Sequence, residues 1–355
     1  MSIDLTKLPD PPMPSYTFTL FSRDLFEKSK FNDYDSLLES KLARCQARAD
    51  HLASILANGN VIGANGTLTR PHGARENKGT CVYDLTYEDK SRTKGWIAED
   101  VITFVLDQNR ATILFGCGKD QMNGKKHFSP EYSGIAGIGR RVLSGGYSLP
   151  SQFEADIMAM CLPGIYSGKG STISFHTTPF KITTSAKLLP NSAYPHYYFV
   201  NLYKVFINDK EIPLNKSIWN SRKFITGGCI VDTGTTITRF PRDFYTAFRD
   251  TFIQQVQGIP LIHNPRGHLD TCYKVDPGVV PNFPVVKMYF GQQNPNNLLL
   301  LTHQRVMFHL RGIFCLAFGS WDQDSAVLGS NQLQRIGLTF NTAANTLSFD
   351  LDACD

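Results

Sequence analysis

Between Asp35 and Asn58 the apolar positions recur at steps of three and four. Leu38, Leu42, Cys45, Ala49, Leu52 and Leu56 fall on one face of a helix, with Lys41, Arg44, Arg48 and Asp50 on the other. Ser36 to Glu39 reads as a capping box, and Asn58-Gly59 as the stop. The Pro-rich opening to about Pro14 predicts irregular chain, and the Gly- and Asn-rich stretch 58–80 a linker. From Thr80 the texture becomes β-like, in short apolar and β-branched runs between turn residues: Cys81–Tyr87, Trp96–Leu106, Ala111–Phe115, Thr172–Phe175, Tyr197–Ile207, Val285–Phe290 and Arg305–Phe318. Leu338–Phe340 and Thr346–Phe349 predict a hairpin around Thr342–Asn345, and Asn208-Asp209 a second one before Glu211–Leu214. One clear helix starts at Pro241, with Phe244, Phe248, Phe252 and Val256 as its apolar stripe. Many strands with rare helices predict an all-β fold, and the length suits two packed lobes.

Composition narrows the function classes. With 42% hydrophobic and 12% aromatic residues among 355, the chain can bury enough surface to offset the entropy of ordering. The net charge of +5 is dispersed, with only short pairs such as Lys125-Lys126 and Arg140-Arg141, so no nucleic-acid partner is expected. Apolar stretches such as Leu298 to Leu301 fall far short of the roughly 18 residues of a membrane span. Eight cysteines without a CxxC pair argue against zinc or iron–sulfur sites and leave thiols or long-range disulfides. Nine histidines lack HExxH spacing, so neither metal nor other cofactor is expected. Gly168-Lys169 is followed by Gly170 where a phosphate loop needs Ser or Thr, and Ser144-Gly145-Gly146 is no serine-hydrolase elbow. Asn65-Gly66-Thr67 and Asn215-Lys216-Ser217 are glycosylation candidates that fit a secretory route, although the first thirty residues lack a signal-peptide pattern.

The sharpest chemical signal is Cys229 to Thr236. An apolar strand ends on Asp232, Gly234 permits a tight return, and Thr235 and Thr236 offer two hydroxyls that can orient a carboxylate for acid–base work. Alone, Asp-Thr-Gly also reads as an ordinary strand-end turn. Here Ala326-Val327-Leu328-Gly329 follows it, and Ser133 to Gly139 precedes it.

With those segments in order, the chain resembles the pepsin-like (A1) aspartic proteases, specifically the plant nepenthesin-type branch. Tyr87 to Gly95 looks like that branch's flap, Ile113 to Gly118 like its next marker, and Ser148 to Gln152 like the one after Gly134–Gly139. Tyr197 to Leu202 resembles the first strand of the C-terminal lobe. The resemblance implies an all-β, bilobed acid-protease fold in which two carboxylates, one from each lobe, share a proton and activate a water. It implies Asp232 as the C-lobe catalytic residue, with Thr233, Gly234, Thr235, Leu328 and Gly329 supporting its loop. It also implies Tyr87 as the flap tyrosine and a disulfide between Cys272 and Cys315. Residues 1–75 read as a prosegment-like helix and linker, 76–195 as a truncated N-terminal lobe and 196–355 as the C-terminal lobe. A monomer is expected, with a peptide or protein ligand in the inter-lobe cleft, in a secreted or vacuolar setting.

One element of the family pattern is missing. Asp232 heads the single Asp-Thr-Gly of the chain, and no Asp-Ser-Gly occurs. The stretch between Asn58 and Cys81 is too short for the strands that would carry a first catalytic loop. Glu88 and Lys90 stand where the flap usually has glycines, and long side chains there hinder close approach to a substrate backbone. Setting Cys45 aside with the prosegment leaves seven cysteines, so at least one lacks a disulfide partner. The expectation is an aspartic endopeptidase by resemblance whose activity is impaired. The alternatives are a non-catalytic binding or inhibitor protein, and a truncated isoform or mispredicted gene of an otherwise active protease.

Overall fold

The computed structural model describes residues 16–20, 82–86, 92–103, 109–123, 126–127, 136–141, 147–164, 170–192, 194–213, 228–263, 265, 269–276, 278–310, 312–351, 353 and 354. The expected helix at 35–58, the linker after it, Tyr87 and both glycosylation candidates, Asn65 and Asn215, lie outside them.

Strands dominate. Eleven form one continuous sheet in the order 16–20, 171–175, 157–161, 337–341, 346–350, 184–189, 198–200, 229–232, 326–329, 238–241 and 318–321. Its middle is the hairpin Gly337–Asn341 and Thr346–Asp350, whose turn places Asn345 at a left-handed φ of 53°. Asn208 takes the same conformation (φ 51°) between Leu202–Ile207 and Lys210–Glu211. Asn tolerates positive φ because its short polar side chain bonds locally. Both hairpins were legible from their turn residues. Tyr16–Leu20, in the stretch otherwise assigned to the prosegment, pairs antiparallel with Ser171–Phe175 and ends the large sheet.

Three smaller sheets have four strands each. One is a long ribbon of Arg92–Thr103 and Arg110–Asn123, flanked by Val82–Thr86 and Lys126–His127. Ile102, Ala111 and Ile113 pack against the main core, while Trp96 and Phe115 on the same face, toward the other end, remain about 40% exposed, at 42% and 38%. The Lys119 amine lies 3.5 Å from the Trp96 ring centroid. At Leu114 the ribbon's edge is blocked by a side chain: Leu114 N–H donates to Gln152 Oε1 (2.7 Å), and Gln152 Nε2 donates back to Leu114 O (3.0 Å). A paired amide in place of a strand removes the exposed donors and acceptors that invite edge-to-edge association.

The expected helix is Arg242–Gln255, with Pro241 as its N-cap in place of the first helical residue. Phe244, Phe248 and Phe252 are buried as the stripe predicted, whereas Val256 ends the helix in an extended conformation. Phe240, Phe244, Phe248 and Phe318 form one aromatic cluster, with Phe240–Phe244 centroids at 4.9 Å and Phe248–Phe318 at 4.8 Å. The run Arg305–Phe318 is not one strand. It holds the end of a short helix, His303–Val306, then strands Met307–Leu310 and Ile313–Leu316 and the start of Phe318–Trp321. Arg305 is buried, donating Nε to Gln334 O and Nη2 to Leu351 O, both at 2.9 Å, so tertiary bonds override the local pattern.

Disulfides join Cys272 to Cys315 across paired strands and Cys161 to Cys354, while Cys117 is an exposed thiol and Cys229 a buried one. Burial pushes the Cys229 thiol up to about 12, against a smaller opposing pull from the Leu328 backbone. A folded pKa above the unfolded one leaves stability untouched at neutral pH and erodes it as pH climbs from about 9 toward 12. Alkylation at about pH 8 should therefore modify Cys117 in the native protein and Cys229 only on unfolding. Mass mapping of labelled peptides with and without denaturant checks this.

Candidate functional site

Cys229, Ile230 and Val231 are buried, and Asp232 reaches partial exposure at the strand's end. The strand runs antiparallel to Tyr198–Val200 on one side and parallel to Ala326–Gly329 on the other, with Asp232 beside Gly329. Arg239 of the following strand pairs with Val327 from the far side. The strand 326–329 is thus threaded between two strands joined by the loop 233–237, and pins that loop from below.

The carboxylate is held at both oxygens. Gly234 N–H donates to Oδ1 (3.0 Å) and the Thr235 hydroxyl to Oδ2 (2.8 Å), with Thr235 N–H bonded to Asp232 O (3.1 Å). Thr235 is fully buried, so its rotamer is set by packing. Ser330 N–H donates to Thr235 O (2.7 Å) and Asn331 N–H to Thr236 O (2.8 Å), which fixes the loop's outer half. Gly329 has no room for a side chain: a Cβ there would lie 2.7 Å from Ile237 C and 2.8 Å from both Ile237 O and Thr235 O. Leu328, buried completely, sits one residue before it opposite Val231. Asp232, Thr233, Gly234, Thr235, Leu328 and Gly329 are therefore brought together at one place. The arrangement presents a rigid, hydrogen-bonded carboxylate at a strand end, a geometry suited to holding a water or a peptide carbonyl.

The segment Ala136–Arg141 lies against the same region. Tyr198, beside Val231 in the paired strands, donates its hydroxyl to Ile138 O (3.2 Å), and Leu149 N–H bonds Gly137 O (2.8 Å). Burial drives the Tyr198 phenol far up, with the nearby Arg140 cation opposing it, so it remains a neutral donor. Arg140 donates to Leu189 O (3.3 Å) and Asn345 Oδ1 (2.9 Å), tying this segment to the central hairpin. Ser148 caps the short helix Leu149–Gln152 that follows. Sequence reasoning overlooked the polar layer under the loop, formed by Thr238, Asn331 and Gln332. The signal was a polar run, Ser330-Asn331-Gln332, directly after the wholly apolar Ala326–Gly329.

No described helix is long and apolar enough to cross a membrane, and the described residues contain no group of three or more metal-ligating side chains. Family models match most of the chain: xylanase inhibitor N-terminal over residues 27–175 and xylanase inhibitor C-terminal over 197–350. The N-terminal match begins inside the stretch 1–75 that the sequence reading set apart. Nepenthesin-1 of Nepenthes gracilis, an aspartic proteinase, is 28% identical over 281 residues, covering 77% of this chain and 61% of its own. Protein ASPARTIC PROTEASE IN GUARD CELL 2 of Arabidopsis thaliana is 27% identical over 279 residues, covering 78% and 57%. The chain therefore spans about three fifths of the length of these relatives. Among solved structures, edgp superposes with a TM-score of 0.64 at 22% identity, covering 77% of this chain and 75% of that one. Basic 7S globulin from soybean gives 0.59 at 20% identity, covering 76% and 73%. The fold is all-β and bilobed, and the chain belongs to the plant pepsin-like (A1) aspartic protease family.

Proposed function

We propose that this chain is a pepsin-fold protein that binds peptide or protein segments in its cleft and, as a single chain, does not hydrolyse them. The observation that carries the reading is a half-site kept whole: Asp232 is held at both oxygens, yet it heads the only Asp-Thr-Gly in the sequence. Water attack on a peptide in this fold needs one carboxylate as base and a second as acid across a shared proton. A lone carboxylate can accept a hydrogen bond from a bound backbone amide but cannot fill both roles. Relatives named as aspartic proteinases support a cleft that takes polypeptide, and the xylanase-inhibitor models support binding without catalysis. The setting proposed is secreted or vacuolar, and the protein monomeric.

The test compares purified chain with Asp232→Asn on an unfolded protein substrate at about pH 4. Neither should release peptides, while wild-type retains unfolded polypeptide on a column and the variant binds it several-fold more weakly. Hydrolysis that disappears in Asp232→Asn would sink the reading and restore a complete endopeptidase site, assembled with a second copy's Asp232. A preparation without cooperative unfolding would instead favour a truncated product with no role of its own.

A further inference from the structure

Beneath the Asp232 loop lies a side chain with every hydrogen-bonding capacity used. Gln332 is fully buried. Its Oε1 accepts from Thr238 N–H (3.0 Å) and from the Thr238 hydroxyl (2.8 Å). Its Nε2 donates to Arg305 O (2.8 Å) and Ala317 O (3.0 Å). The Thr238 hydroxyl, with its proton committed to Gln332, accepts from Gly329 N–H (3.1 Å). Gly329 in turn stands beside Asp232 in the parallel pair and against the Thr235 and Ile237 backbone.

We infer that Gln332 is the positioning residue of the site, acting through Thr238 and Gly329 to fix where the Asp232 carboxylate points. The inference rests on Asp232 being the functional carboxylate. Three segments meet at this one amide, the short helix at Arg305, the strand junction at Ala317 and the strand at Thr238, and the Thr238 hydroxyl extends the connection to the pinning strand at Gly329. An amide is suited to the task because it supplies two acceptor and two donor directions without charge, and here all four are taken. A fully satisfied buried network holds one arrangement, whereas loss of one member leaves the rest unpaired in a low-dielectric interior. The direction of the Thr238 hydroxyl is what makes the chain a relay: with its proton given to Gln332, the oxygen turns a lone pair to Gly329 N–H. Asn331 and Gln334 belong to the same layer without a side-chain bond to Thr238, and Asn331 shares the Arg305 carbonyl with Gln332. Asn331 Nδ2 donates to Arg305 O (3.0 Å), and Gln334 Nε2 to Asn331 O and Oδ1 (both 3.0 Å) and to Gln304 O (3.2 Å).

The experiment uses the full chain labelled with 13C at the aspartate carboxyls, with the Asp232 signal assigned by Asp232→Asn. Thr238→Val removes the hydroxyl at constant shape, Thr238→Ser keeps it, Gln332→Met removes the amide, and Gln334→Met is a matched control outside the relay. Thr238→Val and Gln332→Met should move and broaden the Asp232 carboxyl signal and speed Gly234 amide exchange about tenfold. Thr238→Ser should restore both. Gln334→Met should lower the melting temperature while leaving the Asp232 signal in place. An unchanged Asp232 signal in Thr238→Val, or an equal change in Gln334→Met, would overturn the relay. Should Gln332→Met fail to fold, the Thr238 pair alone decides between these outcomes. Failure of wild-type to bind peptide would sink the functional reading without touching the carboxyl signal, so the two are separable.

Discussion

Gly329→Ala is expected to cost about 3 kcal/mol or more and to displace the Asp232 carboxylate. The three atoms a Cβ would meet, Ile237 C, Ile237 O and Thr235 O, all belong to backbone at 2.7–2.8 Å. No rotamer change relieves that contact, and neither wall is free to retreat. Thr235 O already accepts from Ser330 N–H, and Ile237 is fully buried and followed by Thr238, which is bonded to Gln332. The strain must therefore open the loop 233–237, on which both bonds to the Asp232 oxygens depend. A useful contrast is Gly258, at φ +70° with open space around it, where alanine meets nothing and costs only the left-handed conformation, about 1 kcal/mol. The melting temperatures of the two variants should separate by several degrees. In the peptide-retention assay Gly329→Ala should behave like Asp232→Asn, while Gly258→Ala should match wild-type. Equal destabilisation by both alanines would show that the loop, not the strand beneath it, gives way freely.

The parts of this architecture that were legible share a property: their determinants lie within a few residues of one another. Asp232 and its loop announce themselves because an apolar strand, a carboxylate, a glycine and hydroxyls occur in one octapeptide. The hairpins at Asn208 and Asn345 are visible because Asn at a turn has a local reason to be there. The helix at Arg242–Gln255 follows from four apolar positions at regular spacing, three of which are buried. What escaped was set at long range. Tyr16–Leu20 alternates over only five residues, and its partner Ser171–Phe175 lies some 150 residues on. Arg305 looks like the start of a strand until the carbonyls of Gln334 and Leu351 come to meet it. Gln332 shows locally only as the end of a polar run, and what it does depends on Thr238, Arg305 and Ala317 arriving together. The same distance dependence explains why a disulfide between Cys272 and Cys315 followed from resemblance alone, while Cys161–Cys354 was not anticipated.

That second bond carries the other large expectation. Cys161–Cys354 closes a loop of 193 residues, against 43 for Cys272–Cys315. Loop-closure entropy places the longer bond at about 5 kcal/mol, and measured values for native disulfides run at about 2–4 kcal/mol. Its position adds a reason for the effect to be felt at the site. Cys161 ends the strand Ile157–Cys161, paired with Gly337–Asn341, the strand that follows the Gln332 segment by four residues. Arg335 N–H bonds Leu162 O (2.7 Å), so the end of that strand and the chain leaving the polar layer are already in contact. The bond then fastens the last residues to the same place, beyond Leu351, whose carbonyl accepts from Arg305. Cys354→Ser should lower the melting temperature by about 3–7 °C, and reducing agent should lower wild-type further by opening both bonds. Reductant should also cost Cys354→Ser less than it costs wild-type, since one of the two bonds is already absent. Scanning calorimetry of both proteins, with and without reductant, gives all four numbers. Identical losses on reduction would mean that Cys161 and Cys354 are thiols in the folded protein.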